Sequence, residues 1–258
     1  MRPALILTLA MFAQPALAGD WSLRTSLQDE TDWSGAYIGA FGGLGISSGR
    51  ATLADYSGSL LPLDVQYGLF PRSIGQNTVG GVAGVTAGLN VQSGSFVGGV
   101  EADLGYAWTS PHHRFSRIDN VPGSPFPGVT TTTNYATRFG LLGTLRARGG
   151  YAFGDTLLFA TAGIAAGETR NSFDLSLVEA GYTSPDWSGS GLRLGYAVGV
   201  GVEHRLTRDI SLKFETLYID LADRTVRGAD PGAFPGETIS YRFGNNMLVP
   251  RLGINARF

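Results

Sequence analysis

The chain has 258 residues, no cysteine and a formal net charge of −2. Its length suits one sizeable domain rather than two. The lack of cysteine excludes disulfide scaffolds and thiolate metal sites. Because the charge balance lacks the basic excess of a nucleic-acid-binding protein, we expect no nucleic acid among its partners.

Residues 1–18 have the pattern of a secretory signal peptide. A cationic second residue precedes a short apolar stretch over residues 4–12, and small residues end the segment at Ala18. The apolar stretch is shorter than the ~20 residues of a membrane-spanning helix. We therefore predict cleavage after Ala18, which leaves residues 19–32 as a periplasmic N-terminal lead and residues 33–258 as the folded domain.

Eight later segments alternate apolar and polar residues with the period of two that is typical of half-buried strands. They cover about 33–46, 77–92, 96–108, 137–152, 156–169, 189–205, 210–221 and 247–258. Each reaches the roughly 9–11 residues that a tilted strand needs to cross a bilayer. Glycine and alanine blur the two faces of the first and fifth segments.

Charged residues fall on one face of these segments and bulky apolar residues on the other. In the third segment Glu101 and Asp103 alternate with apolar residues, and in the fourth Arg146 and Arg148 oppose an apolar face that begins at Phe139. An arginine or lysine that faces lipid at the bilayer midplane costs about 2–4 kcal/mol. We therefore place the charged faces inside a closed structure and the apolar faces, including Phe139, toward lipid.

Short and long connectors alternate along the chain. The short ones lie near residues 93–94, 154–155 and 207–208, and the long ones span about 47–76, 109–136, 170–188 and 222–246. This alternation is typical of outer-membrane barrels, which have short periplasmic turns and long external loops. We predict an all-β fold: a closed antiparallel up-and-down transmembrane β-barrel of eight strands, with short periplasmic turns and long extracellular loops.

The interior of an eight-stranded barrel is just wide enough for side chains to fill it. Charges confined there must find partners. We therefore predict an interior salt-bridge network without a continuous wide pore. Its members are Glu101, Asp103, Arg146, Arg148, Glu203, Lys213 and Glu215.

Aromatic residues lie where the two membrane interfaces are expected. Those toward the short-turn end are Trp33, Tyr37, Phe96, Tyr151 and Phe258. Those toward the loop end are Tyr106, Trp108 and Tyr218. We predict that these two groups form interfacial girdles.

Four stretches resemble the strands of a known family, the opacity-like outer-membrane immunogenic proteins of α-proteobacteria. They are residues 33–43, 143–151, 195–221 and 251–258, although Ala256 stands where an aromatic residue is usual. The resemblance implies an eight-stranded, surface-exposed barrel in the cell outer membrane. It also implies that Phe258 belongs to the C-terminal signal read by the barrel-assembly machinery.

Histidines are the main candidates for a ligand site. His112 and His113 lie together in the second long loop, where a haem or metal role is conceivable, but nothing nearby supplies a third ligand. His204 faces outward close to a turn. No nucleophile has an adjacent base and orienting group. We predict no cofactor, no metal and no enzymatic activity.

The leading hypothesis is a structural outer-membrane protein whose loops form surface epitopes or contacts. The expected partners are outer-membrane lipid and lipopolysaccharide, the barrel-assembly machinery and periplasmic chaperones. The alternative is a small-solute channel or a loop-based ligand-binding protein, with haem as the candidate ligand. The sequence leaves the oligomeric state open.

Overall fold

The computed structural model describes residues 32–109 and 113–258. The predicted signal peptide, its cleavage site and nearly all of the predicted lead lie outside these ranges. Within them, the elements in chain order are β1 (Gly35–Ser57), α1 (Leu61–Gln66), β2 (Ser73–Ser93), β3 (Phe96–Thr109), β4 (His113–Ile118), β5 (Thr130–Phe153), β6 (Thr156–Leu177), β7 (Tyr182–Thr183), β8 (Trp187–Arg205), β9 (Ile210–Ala229) and β10 (Thr238–Arg257).

Eight long strands form a closed antiparallel ring. The pairing order is β1, β2, β3, β5, β6, β8, β9 and β10, and β10 pairs back onto β1. The short strands β4 and β7 extend the sheet by pairing with β5 and β6 at the loop end. The predicted eight-stranded up-and-down barrel is confirmed. Within the described ranges, no helix has the length and apolar character needed to cross a membrane.

Tight turns join the strands at the end opposite the long loops. Gly94 and Gly154 have φ of +57° and +58° in the turns between β2 and β3 and between β5 and β6. Glycine has no Cβ and reaches this left-handed region without steric cost, which suits it to two-residue turns. The alternation of short turns with long loops is as predicted.

The strands are longer than predicted on the loop side. β1 continues to Ser57, β5 begins at Thr130 and β6 continues to Leu177. The bounds given above for the long connectors are therefore too wide. Beyond the lipid the outer face of each strand meets water, so the apolar alternation that marks a membrane strand fades although the hydrogen-bonded ladder continues.

A bulge in β5 reverses the predicted face of one aromatic residue. The register between β5 and β6 shifts between Phe139 and Leu142. Phe139 is buried inside the barrel, whereas Leu141 is exposed on its outside. The prediction that Phe139 faces lipid is wrong, because one extra residue exchanges the faces of everything beyond it.

The outer wall carries a belt of exposed apolar side chains, while the predicted interior charges are buried. Edge-to-face packing joins Phe96 to Tyr151 at the turn end, with ring centroids 5.2 Å apart. At the loop end Tyr106 and Trp108 are neighbours at 5.3 Å. Water and lipid meet at such girdles.

Two aromatic residues predicted for the girdle are inside instead. Trp33 is 0% exposed and Tyr37 is 2% exposed, so the prediction that they face the membrane interface is wrong. In the membrane part of β1, the outward-facing residues are Ile38 and every second residue after it, and their side chains are small or aliphatic. The many glycines of this strand hide which face is which in the sequence.

Three apolar clusters divide the interior along the barrel axis. One lies at the turn end around Trp33 and Leu157. A second, around Phe41 and Met247, lies on the loop side of the charged residues. The third fills the mouth and includes residues of α1. The charged network is thus enclosed between apolar layers.

Candidate functional site: the closed barrel interior

The structure brings together all seven charged residues of the predicted interior network and adds an eighth. The additional member is Arg251 on β10, which is as buried as the others. Sequence alternation already places Arg251 on the inward face, but its pairing depends on β10 lying beside β9. Four carboxylates then meet four cations, so the network is neutral.

Arg146 is the centre of this network. It lies directly opposite Glu101 in the β3–β5 register, and its Nη2 is 2.5 Å from Glu101 Oε1 and 2.7 Å from Asp103 Oδ2. Its Nη1 is 2.5 Å from Glu215 Oε1 on β9 across the interior. Nη1 also donates to Thr161 Oγ1 at 2.6 Å. One guanidinium therefore joins carboxylates from two sides of the barrel.

Lys213 and Arg251 complete the same layer. Lys213 Nζ lies 2.7 Å from Glu101 Oε2. Arg251 Nη2 lies 2.6 Å from Glu215 Oε2 and 2.8 Å from Asp103 Oδ2. Glu101, Asp103 and Glu215 thus each contact at least two cations, which offsets the desolvation that makes buried charges unfavourable.

A second group of contacts lies closer to the turns. Arg148 pairs with Glu203, whose Oε1 accepts hydrogen bonds from Ser211 Oγ at 2.5 Å and from Asn255 Nδ2 at 2.9 Å. Tyr37 links the two groups, because its hydroxyl donates to Glu101 Oε2 at 2.6 Å and accepts from Arg148 Nη1 at 3.1 Å. This contact explains the inward orientation of Tyr37.

Trp33 closes the barrel at the turn end. Its Nε1 donates to the carbonyl oxygen of Gly154 at 3.2 Å, which fixes the ring across the opening. The guanidinium carbons of Arg205 and Arg257 each lie 4.9 Å from the ring centroid. Such cation–π contacts contribute roughly 0.5–1 kcal/mol each at exposed sites. No sequence pattern marks Trp33 for this role apart from its place before β1.

The loops close the opposite end. The rings of Tyr135, Phe173 and Tyr241 pack against one another. The centroid of the Tyr241 ring lies 5.0 Å from that of Tyr135 and 5.3 Å from that of Phe173. The helix α1 from the first loop adds Leu61 and Val65 to this apolar cluster. The mouth is therefore filled by side chains and by a folded loop segment.

Glu237 holds α1 in place from the other side of the mouth. Its Oε1 accepts from the backbone N–H of Ser59 at 2.7 Å and of Leu60 at 3.0 Å, and its Oε2 accepts from Leu61 N–H at 3.1 Å. Burial raises the pKa of this carboxyl, but the hydrogen bonds from Leu60, Leu61 and Ser59 lower it more, so the net shift is downward. These N–H groups would otherwise lack partners at the helix start.

Of the two loop histidines, the structure describes only His113. His112 lies outside the described residues. His113 Nε2 is 3.4 Å from Thr78 Oγ1. Among the residues that the structure describes, no group of three His, Asp or Glu side chains could hold a metal ion. His204 is exposed on the outer wall, as expected, and its Nδ1 lies 2.9 Å from Thr156 Oγ1.

A closed ring of eight strands, apolar outside and charged inside, defines a transmembrane β-barrel. The chain is similar to several known proteins. The solved outer membrane protein OprG of Pseudomonas aeruginosa aligns with a TM-score of 0.47 and 15% identity over 89% of this chain and 98% of its own. The 22 kDa outer membrane protein of Rhizobium leguminosarum is 31% identical over 71% of this chain and 69% of that protein.

Two further comparisons cover more of the chain. The 31 kDa outer-membrane immunogenic protein of Brucella melitensis is 28% identical over 96% of both chains. The family model described as the outer membrane protein beta-barrel domain matches residues 4–244. The chain belongs to this family of outer-membrane β-barrels, and the resemblance to the outer-membrane immunogenic proteins is confirmed.

Proposed function

We propose that this protein is a structural component of the outer membrane that displays a folded set of loops to the exterior and neither conducts solutes nor catalyses a reaction. The observation that carries this proposal is the filled interior, in which paired charges lie between a Trp33 closure and a loop closure. A solute channel needs a continuous water-filled path, whereas these side chains occupy it. No distinct observation favours the haem-binding alternative.

Several details of the proposal concern processing and assembly. The signal peptide is cleaved after Ala18, and the barrel-assembly machinery and periplasmic chaperones deliver the chain to the membrane. The contact between Phe258 N–H and the carbonyl oxygen of Ala36, at 3.1 Å, supports an assembly role because it lies at the β1–β10 closure. Outer-membrane lipid and lipopolysaccharide surround the apolar wall.

Surface display is supported by the loop architecture and by the names of the relatives, which describe outer-membrane immunogenic proteins. The loops here are tied to each other rather than loose, as the Glu237 contacts with α1 illustrate. We propose that surface epitopes are formed by this folded cap.

Accessibility of an inserted tag on intact cells tests the proposal. A short epitope tag after Gly123, in the loop between β4 and β5, is expected to bind antibody on intact cells. A matched tag after Thr207, in the turn between β8 and β9, is expected to bind only after the outer membrane is permeabilised. Equal labelling of both tags on intact cells, or labelling of the turn alone, contradicts the proposed orientation.

A further inference from the structure

A cavity lies in the loop-built cap, separate from the charged interior. Its volume is about 80 Å³, and it is bounded by α1, by the loop after β4 and by the outer ends of β5, β6, β9 and β10. Most of its wall is apolar and much of it aromatic, including Phe70, Phe126 and Trp187. Aromatic faces attract cations as well as apolar groups.

The charged residues on this wall all carry the same sign. Asp64, Asp119, Asp230 and Glu237 line the cavity, and none of its described lining residues is basic. Three of the four carboxylates already accept hydrogen bonds. Glu237 binds the N–H groups at the start of α1, Asp119 accepts from Val121 N–H at 2.9 Å, and Asp230 accepts from the Tyr182 hydroxyl at 2.6 Å.

Asp64 is the exception. Its half-buried carboxylate makes no hydrogen bond or ion pair with the residues in the described ranges. Burial, together with the nearby carboxylates of Asp119 and Glu237, raises the pKa of Asp64 to about 6. An unpaired acid in such surroundings is unfavourable for folding, and groups of this kind concentrate at functional sites.

A second polar group on the cavity wall also lacks a partner. Thr133 is 1% exposed, and neither its hydroxyl nor the neighbouring Tyr135 hydroxyl makes a hydrogen bond of good geometry. Buried hydroxyl groups are nearly always hydrogen-bonded, so an orphan of this kind calls for an explanation. A ligand with several donors would supply the missing contact.

We propose that this cavity binds a small apolar molecule that carries a protonated amine, with the ammonium group on Asp64 and the apolar body against the aromatic wall. An ammonium has three donors and no acceptor, which matches a site that offers carboxylate and hydroxyl oxygens. An anionic ligand would meet four carboxylates and no cation. This site is independent of the closed interior, so either proposal can fail while the other holds.

Calorimetry on the full-length protein folded in detergent tests the inference with three probes of similar shape. These are propylamine, the neutral 1-propanol and the anionic propionate. At pH 7.5 the amine is expected to bind about tenfold more tightly than the alcohol, because a hydrogen bond to a charged group is worth about one such step. The anion is expected not to bind.

Asp64→Asn isolates the charge. This variant is expected to bind the amine about tenfold more weakly and the alcohol unchanged. The matched control is Asp55→Asn, which changes an exposed carboxylate of β1 outside the cavity and is expected to leave both affinities unchanged. The gel mobility shift on boiling shows that each variant is folded.

Acidification provides a second readout. Between pH 7.5 and pH 5 the wild-type affinity for the amine is expected to fall as Asp64 takes up a proton, with Asp119 and Glu237 as the charged groups that face it. Asp64→Asn is expected to show a smaller change. The proposal is overturned if the amine does not bind, if the alcohol and the amine bind equally, or if Asp64→Asn leaves the preference for the amine intact.

Discussion

Glu101 and Arg146 face each other directly across β3 and β5, and Arg146 Nη2 lies 2.5 Å from Glu101 Oε1 in the middle of the barrel. The same guanidinium reaches Glu215 on β9, so one side chain links walls that are not adjacent in the sheet. These ion pairs connect the strands across the barrel interior as well as around the sheet.

Arg146→Ala is expected to lower the free energy of unfolding by about 3–5 kcal/mol, because removal of one partner leaves buried carboxylates uncompensated. Urea unfolding of the protein folded in lipid vesicles measures the change. Arg170→Ala is the matched control, since Arg170 pairs with Asp186 on the exposed surface at 3.3 Å. That variant is expected to cost less than about 1 kcal/mol. If the two variants lose similar amounts of unfolding free energy, Arg146 does not stabilise the barrel through its buried ion pairs.

Trp33→Ala is expected to destabilise the barrel by about 3 kcal/mol, at the low end for a buried tryptophan, because the ring lies at an end rather than at the centre. Trp33→Phe keeps an aromatic face for Arg205 and Arg257 but loses the hydrogen bond to Gly154 and part of the buried ring volume, so it is expected to cost about 2 kcal/mol. Thermal unfolding in detergent compares the two. A neutral Trp33→Ala would show that the turn-end closure contributes nothing.

Glu237→Ala is expected to release α1 from the mouth, because the backbone N–H groups of Ser59, Leu60 and Leu61 lose their acceptor. Hydrogen exchange over residues 59–66 should accelerate roughly fivefold, in line with the ~1 kcal/mol of a helix cap. Glu179→Ala is the control, since Glu179 accepts instead from Thr130 N–H at 2.6 Å. Exchange over residues 59–66 is expected to stay at the wild-type rate in that variant.

Asp64→Asn is expected to stabilise the cap at neutral pH. In the folded protein Asp64 keeps its proton up to about pH 6, whereas its ordinary pKa is 3.8. The folded state therefore binds more protons between these values, and the stability of the cap falls as pH rises through that window. Because the carboxylate is half-exposed and screened by water, the variant should gain only about 1 kcal/mol at pH 7.5.

The gain at pH 7.5 should disappear at pH 3, where the wild-type Asp64 is protonated in both states. Hydrogen exchange of the α1 amides at the two pH values measures it. If the stability difference between Asp64→Asn and the wild type is the same at both pH values, then Asp64 is not held in an unfavourable environment. A variant that binds the amine less well but has a more stable cap would identify Asp64 as a residue kept for binding.

The barrel and most of its interior could be predicted from the sequence because one physical constraint acts on every strand. Lipid excludes charge from one face, so Glu101, Arg146 and Lys213 mark the inside wherever the period of two is intact. The register of neighbouring strands then follows from the short turns. Arg251 is missed as a network member because its partner Asp103 lies on β3, which is not adjacent to β10 and is reached only across the closed interior.

The features that could not be predicted lie where this constraint is absent. Phe139 is misassigned because the bulge lies at Gly140 and Leu141, and glycine is too frequent in these strands to mark one bulge. Trp33 and Tyr37 sit inside although aromatic residues are common at membrane interfaces. The helix α1 depends on Glu237, whose contact with Leu60 spans 177 positions along the chain. Local sequence carries no record of such a contact.

Planar-bilayer recording of the purified, folded protein shows whether the barrel interior is closed. We predict no protein-dependent conductance, because the paired charges and the two end closures leave no continuous water path. Steady single-channel steps whose frequency scales with the amount of folded protein would show an open interior and would favour the solute-channel alternative.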